Sequence, residues 1–325
     1  MTDLLFAINA TAPIVLMVVV GYLLKRLGML DGGVAKVLNK LVFRVFLPTM
    51  LFLNMYKIQS LGDVDFGFVW YTLIATVLLF LLAVLAVIFF TKENDKRGAL
   101  LQSVFRANYA LVGIPLATSL FGEEGAIAAT VLSAFIIPVF NSLAVIGLSI
   151  FSSDKKPSVK KILIGIVKNP LIQAIFFGFV ALGVRAIFVE CGVTFRLTDI
   201  GPVYSTLTSL SSIATPLALL VLGAQFDFSA IPHLRRHIIF GVAARNFIVP
   251  LLGLGVAYFI GAFNGAQFAT FVAVFCTPVA VSSVPMAQEM DADVSLAGQL
   301  VVWSTLFSAL SIFLASYVLK LLGVF

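Results

Sequence analysis

Charge is scarce in this chain. Of 325 residues, 11% are Asp, Glu, Lys or Arg, while 61% are hydrophobic and the mean hydropathy is +1.12. An ordinary soluble domain carries about 25% charge, so a soluble fold is excluded and a polytopic all-α membrane protein is indicated. Cysteine is nearly absent. Cys191 and Cys276 lie far apart, in no metal or redox spacing, and imply no disulfide framework. The two histidines, His233 and His237, flank Arg235 and Arg236 in one loop and are too few for a metal site. Neither GxSxG nor HExxH occurs, and there is no P-loop. An intramembrane hydrolase would lack a base for its nucleophile, and ATP hydrolysis by the chain itself is excluded. We expect no enzyme activity, no cofactor and no metal. The net charge of +6 does not signify nucleic acid, because the basic residues sit in short loops between apolar runs. The opening MTDLLFAINATAP has no basic leader region, so it reads as a first span and not as a cleaved signal.

Uncharged runs fill the rest, and they divide into ten spans. The first five are 6–24, 34–56, 66–90, 98–122 and 125–153. The sixth starts at Asn169-Pro170 and is ended by Arg185; the seventh is 202–226. The eighth follows Arg235-Arg236 and holds Arg245, Asn246 and Pro250; the ninth is 265–289 and the tenth 294–319. Lys36, Lys40 and Arg44 recur at four-residue steps on one face of the second span, as side chains that snorkel to the membrane surface would. Ten spans divide into repeats 1–161 and 162–325, five spans each. Pro13 and Gly21 match Pro170 and Gly178, LPTMLFL (47–53) matches TPLALLV (215–221), and IPLATSLFGEEG (114–125) resembles VPMAQEMDAD (284–293). An odd number of spans per repeat inverts the second copy. Lys57, Arg185, Arg196 and Lys320 fall on one side and the other 17 of the 21 Lys and Arg on the opposite side. That side is read as cytoplasmic, with both termini outside.

Two stretches organise the chain: NYALVGIP (108–115) in the fourth span and TPVAVSSVP (277–285) in the ninth. Gly and Pro interrupt the helix there, and an interrupted backbone at membrane depth must face protein or a cavity. Two such spans in matching positions point to a transporter's binding site. A broken span offers backbone N–H groups and partial positive charge at the start of its second half. Asn108, Tyr109, Thr277, Ser282 and Ser283 add side-chain donors. Asn108 is read as a ligand-binding group, with a helix–helix hydrogen bond as its alternative. Arg106 and Arg245 are the basic residues well within spans. Their expected behaviour is snorkelling toward the cytoplasmic surface; the alternative is pairing with a substrate carboxylate. The first crossing holds no acid between Asp95 and Glu123, and residues 246–288 are uncharged. A cation/proton antiporter, which needs buried carboxylates, is therefore disfavoured.

These residues resemble the auxin efflux carrier family. FRANYALVGIPLATSLFGEEG (105–125) carries its Asn–aromatic–x–x–x–Gly–x–Pro core, and TPVAVSSVPMAQEMDAD (277–293) is similar to its ninth span. FLPTMLF (46–52), Asn169-Pro170, ATPLALLVLGAQF (214–226) and the segment 245–250 fit in order. Ala107 departs from an expected Gly, and Thr277 from a small apolar residue. The short DKKPSVKK loop (154–161) suits a bacterial or archaeal member. The resemblance implies ten helices in a 5+5 inverted repeat, broken and crossed fourth and ninth helices, an elevator-type motion and a homodimer. It implies a plasma-membrane carrier of organic anions such as malate, malonate or auxin-like acids. Its crossover falls on Asn108, Gly113, Pro115 and Pro278. A sodium-coupled organic anion symporter of the bile-acid type is the alternative, and a non-transporting scaffold or sensor is a third class. Coupling to a proton or a sodium ion stays open.

The charge asymmetry makes a prediction. In a cysteine-free background, a cysteine at Lys155 is shielded from an impermeant thiol reagent in intact cells, while one at Glu123 reacts. The reverse pattern overturns the orientation.

Overall fold

The computed structural model describes residues 2–57, 66–152, 164 and 167–325. Its helices are α1 (Thr2–Arg26), α2 (Gly32–Tyr56), α3 (Phe66–Phe90), α4 (Asn94–Phe105), α5 (Ile114–Ile150), α6 (Pro170–Glu190), α7 (Gly201–Gln225), α8 (Phe228–Ile260), α9 (Gly265–Phe275), α10 (Ser283–Glu289) and α11 (Val294–Leu321). Seven of them, α2, α3, α5, α6, α7, α8 and α11, are long and apolar enough to cross a membrane. Helix α1 is 25 residues of mostly apolar sequence closed by Lys25 and Arg26. The fourth and ninth expected spans are not continuous helices: α4 stops at Phe105 and α9 at Phe275. The basic loop 154–161, the end of the fifth span at Ser153 and the repeat boundary at 161/162 lie outside the described residues.

Proline explains much of the local shape. Turns of π-helix at Val42–Phe46, Tyr109–Gly113 and Ala244–Ile248 each run into a proline two residues later, Pro48, Pro115 and Pro250. A proline ring clashes with the carbonyl four residues back and offers no N–H, and a widened turn relieves that clash. Helix α5 is really two helices, with non-helical backbone at Phe121 (φ −139°, ψ 24°) and Gly122 (φ 60°, ψ −142°). Only glycine takes that Gly122 conformation readily, so the fourth expected span ends at 122 as the sequence indicates. The sixth departs from expectation. Helix α6 continues past Arg185 to Glu190, because Arg185 donates to the Tyr56 carbonyl at 2.7 Å and its guanidinium lies 5.4 Å from the Tyr56 ring centroid. Tyr56 takes up the charge that was expected to end the span.

Helices α1, α2, α6 and α7 form one layer: α1 packs on α7, and α2 on α6 and α7. The rest form a second body, in which α9 packs on α5, α3 on α4 and α5, and α11 on α4, α8 and α10. Its interior is fully buried at Leu100, Leu101, Phe271, Val272 and Phe275. Outward-facing apolar side chains such as Leu82, Phe89, Phe176, Leu251 and Phe259 are highly exposed, as a lipid-facing surface requires. Lys36, Lys40 and Arg44 are exposed on α2, consistent with their expected snorkelling.

The first layer depends on close backbone approach. A Cβ at Gly223 would lie 2.0 Å from the Val18 carbonyl oxygen, and one at Gly21 would lie 2.1 Å from that of Leu220. Small residues of this kind let membrane helices pack without a hydrophobic driving force. Gly223→Ala is therefore expected to lower the apparent melting temperature, through overpacking of about 1–3 kcal/mol. Gly183→Ala on α6, where a Cβ meets nothing within 4 Å, serves as the control and leaves it unchanged or higher. Equal behaviour of the two variants by thermal unfolding in detergent would refute the close packing.

Candidate functional site

The two breaks meet. After Phe105 the chain turns extended at Arg106 (φ −95°, ψ 107°), and Ala107 forms an antiparallel bridge with Val279. The Asn108 N–H donates to the Pro278 carbonyl at 2.8 Å, and the Ala280 N–H to the Arg106 carbonyl at 3.2 Å. The Val279 N–H donates to the Ser304 hydroxyl of α11 at 3.0 Å. Several backbone groups freed by each break are thus satisfied by the other break and by one serine. Helix α4 covers about 18 Å from Asn94 to Phe105 at 1.5 Å per residue. That exceeds half of a hydrocarbon core of about 30 Å, so the crossing lies near mid-depth.

Two arginines serve this crossing, and neither snorkels. Arg106 is 2% exposed and Arg245 1%. Arg245 donates to the carbonyls of Val104, Val274 and Thr277 at 3.3, 2.7 and 2.8 Å. Val104 and Val274 lie in the last turns of α4 and α9 and Thr277 just past the end of α9, where orphan acceptors and negative dipole ends collect. One guanidinium therefore caps both half-helices. Arg106 instead donates to Gln102 Oε1 (2.8 Å), Asn141 Oδ1 (2.7 Å), Ser282 Oγ (2.8 Å) and Met286 Sδ (2.9 Å), with Ser283 Oγ at 3.5 Å. All are neutral. Among the described residues no carboxylate lies within 4.0 Å of either arginine. The snorkelling expectation fails because the crossing supplies enough neutral acceptors to hold both charges inside.

A cavity of about 60 Å³ opens where the crossing faces α2, α5, α6 and α7. Arg106, Asn108, Tyr109 and Ser282 line it together with Asn54, Asn141 and Thr215; its remaining wall is apolar, with Met50, Ile137, Phe140 and Leu171 among its members. No acid lines it. Asn108 is 5% exposed, and its Nδ2 has no hydrogen-bond partner among the described residues. A buried donor without a partner is costly unless something else fills the role.

The other expected residues stand behind this surface. Tyr109 lines the cavity, but its hydroxyl donates to the Ala129 carbonyl at 2.8 Å. Thr277 donates to its own helix at Ala273, 2.7 Å away. Ser283 backs Arg106. A Cβ on Gly113 would lie 3.0 Å from the Ala273 carbonyl oxygen, so this glycine sets the approach of α9. Pro115 follows the π turn, and Pro278 offers its carbonyl to Asn108. Sequence reasoning missed Asn54, Gln102 and Thr215 as site residues. For Asn141 the available signal was its rarity, an amide within the uncharged span 125–153.

A family described as membrane transport protein matches residues 6–316 of the chain. The chain is 27% identical over 311 residues to an uncharacterized transporter of Methanothermobacter thermautotrophicus, covering 94% of this chain and 96% of the relative. It is 25% identical over 315 residues to an uncharacterized transporter of Methanocaldococcus jannaschii, again with 94% and 96% covered.

Because the Asn108 amide nitrogen has no partner among the described residues, Asn108→Ala should leave the melting temperature within a few degrees while reducing substrate flux at least tenfold. Arg106→Gln should reduce flux at least as far, with folded yield within about twofold. Normal flux in both variants would remove the cavity from function, and loss of flux only in proportion to loss of fold would assign both residues to structure.

Proposed function

The chain belongs to the membrane transport protein family, the family of the auxin efflux carriers, and from that premise we propose that it is a secondary carrier of small organic carboxylate anions. The observation that carries this reading is Arg106: a buried guanidinium, lining a cavity at mid-depth, with no anionic partner among the described residues. A charge at the bilayer centre costs about 2.5–3.5 kcal/mol on insertion scales, and arginine stays protonated. A carboxylate in the cavity supplies the missing counter-charge and accepts the unused Asn108 donor. By the volume one water needs, the cavity holds about four to six waters. That suits few-carbon acids on the scale of malate or malonate better than an aromatic acid.

The ten-helix, 5+5 inverted-repeat architecture belongs to this reading, as does a plasma-membrane location with both termini outside. So does an elevator-type motion of the crossing body along the α1/α2/α6/α7 layer. The position of the cavity between those two parts supports the motion, and the exposed apolar face of that layer suits a homodimer.

The sodium-coupled alternative is disfavoured by Arg245. In crossed-helix carriers, unwound carbonyls and half-helix C-terminal ends are where a coupling sodium ion is held. Here Arg245 already donates to the carbonyls of Val104, Val274 and Thr277. A proton carrier is also missing there, since among the described residues no acid lines the cavity. Anion export then runs on the membrane potential alone, at about 2.3 kcal/mol per charge per 100 mV, or a gradient of roughly 50-fold.

In proteoliposomes loaded with malonate or malate, a potential set negative inside with potassium and valinomycin should accelerate efflux several-fold without a sodium or proton gradient. Efflux that follows an imposed pH gradient and ignores the potential would show proton coupling. Glu289, paired with Arg44 at 3.7 Å, would then be the first carrier to test. A strict sodium requirement would establish the symporter instead.

A further inference from the structure

A second cavity lies away from the crossing, on the outer face of the molecule between α8 and α11. It is a groove of about 420 Å³, within the range of ligand pockets. Its walls are apolar, with Pro250 and Leu254 buried at depth and Leu251 and Val318 exposed along the rim. Two polar side chains form its inner end. Among the described residues, Asn246 is 1% exposed and its Oδ1 accepts no hydrogen bond, and Ser311 is 3% exposed with only the weakly bonding Cys276 thiol as a partner for its Oγ. Asn246 follows Arg245, so this inner end is at the depth of the crossing. Tyr258 stands at the other end, 12 residues or about 18 Å of helix away, where an aromatic suits the membrane interface.

Bilayer lipid covers the walls of such a groove but not its inner end. An acyl chain entering from the nearer interface brings only its terminal methyl to mid-depth. A buried amide oxygen without a partner, beside a hydroxyl held only by a thiol, calls for a group that donates to the first and can accept from the second. We propose that this groove binds a lipid-soluble alcohol or phenol, an apolar body with one terminal hydroxyl, seated hydroxyl-inward. The hydroxyl donates to Asn246 Oδ1 and accepts from Ser311 Oγ, and the apolar body lies along Leu254, Gly255 and Leu319.

The site is connected to the crossing. Asn246 Nδ2 donates to the Ser304 carbonyl at 3.0 Å, and the Ser304 hydroxyl holds the Val279 N–H of the second break. Occupancy of the groove therefore acts on the residue pair that positions the bridge between the breaks.

The test uses the full chain in phosphatidylcholine nanodiscs and a long-chain alcohol carrying a diazirine in its alkyl chain. Photolabelling should map to 246–259 and 311–322. The competitors are 4-octylphenol and its methyl ether, 4-octylanisole, which has the same body but no hydroxyl donor. The phenol is expected to displace the label at a concentration at least tenfold lower than the ether. A Cβ on Gly255 meets nothing within 4 Å, so Gly255→Trp has room to fill the groove without disturbing the packing and should abolish labelling. Ser311→Ala should shrink the difference between phenol and ether. Equal competition by phenol and ether in the wild-type protein would reduce the groove to ordinary lipid contact and overturn the proposal. So would labelling that survives Gly255→Trp. The competition comparison needs no variant, so a failure of any variant to fold leaves it decisive.

Discussion

A helix cannot simply stop inside a bilayer. Each unpaired N–H or C=O there costs several kcal/mol, and this chain interrupts two helices at mid-depth. The structure depends on how that constraint is met. Each break is the hydrogen-bond partner of the other, through Asn108 with Pro278 and Ala280 with Arg106. Neither break is tolerable alone, so the two halves of the chain must fold against one another. The remaining carbonyl ends fall to Arg245, and the remaining N–H at Val279 falls to Ser304.

The two buried arginines show the same constraint used in opposite ways. Arg245 is spent on backbone: its three carbonyl acceptors come from both half-helices, and it does not line the cavity. Arg106 is held only by neutral side chains and remains uncompensated on the cavity wall. A planar fork of five donors suits both tasks, which a lysine ammonium could not perform with the same geometry. What differs is whether the acceptors present already carry enough negative character. At Arg245 two helix dipole ends supply it. At Arg106 nothing among the described residues does, and the proposal of an anion site rests on that shortfall.

Much of this was legible in the sequence. Pro115 and Pro278 marked the breaks, because proline at membrane depth has few structural excuses. Asn108 stood out as an amide in an apolar span. The absence of acids between Asp95 and Glu123 foretold the sign of the cavity. The fates of the arginines were not legible. Snorkelling and burial differ by which way a flexible side chain turns, and that depends on acceptors such as Asn141 and Val274, distant in sequence from the arginines they serve. Asn54 and Thr215 were hidden for a related reason: they lie on α2 and α7, whose role as the opposite wall follows from packing and not from any local motif. Arg185 misled because a charge usually ends a span, whereas here the Tyr56 carbonyl and ring accommodate it within α6.

The same distribution of contacts says where the proposed carrier can move. The crossing is tied internally by the bridge, by Ser304 and by Arg245, which join α4, α8, α9 and α11 into one unit. Across the cavity, the wall facing it from α2, α6 and α7 is mostly apolar, with Leu47, Met50, Leu171 and Ala218 in contact with the open space. Polar links from that side to the crossing body include Gln225 with Gln288 at 3.0 Å and Arg44 with Glu289 at 3.7 Å, both on α10. The ion pair is partly exposed and so contributes little, about 0–1 kcal/mol. Sliding along an apolar wall exchanges one set of van der Waals contacts for another, whereas opening the crossing would strand buried backbone groups. Movement that carries the crossing whole is therefore the cheaper route for the proposed carrier, and it would take Arg106 and the proposed anion together, so that the buried charge would keep its partner during the passage.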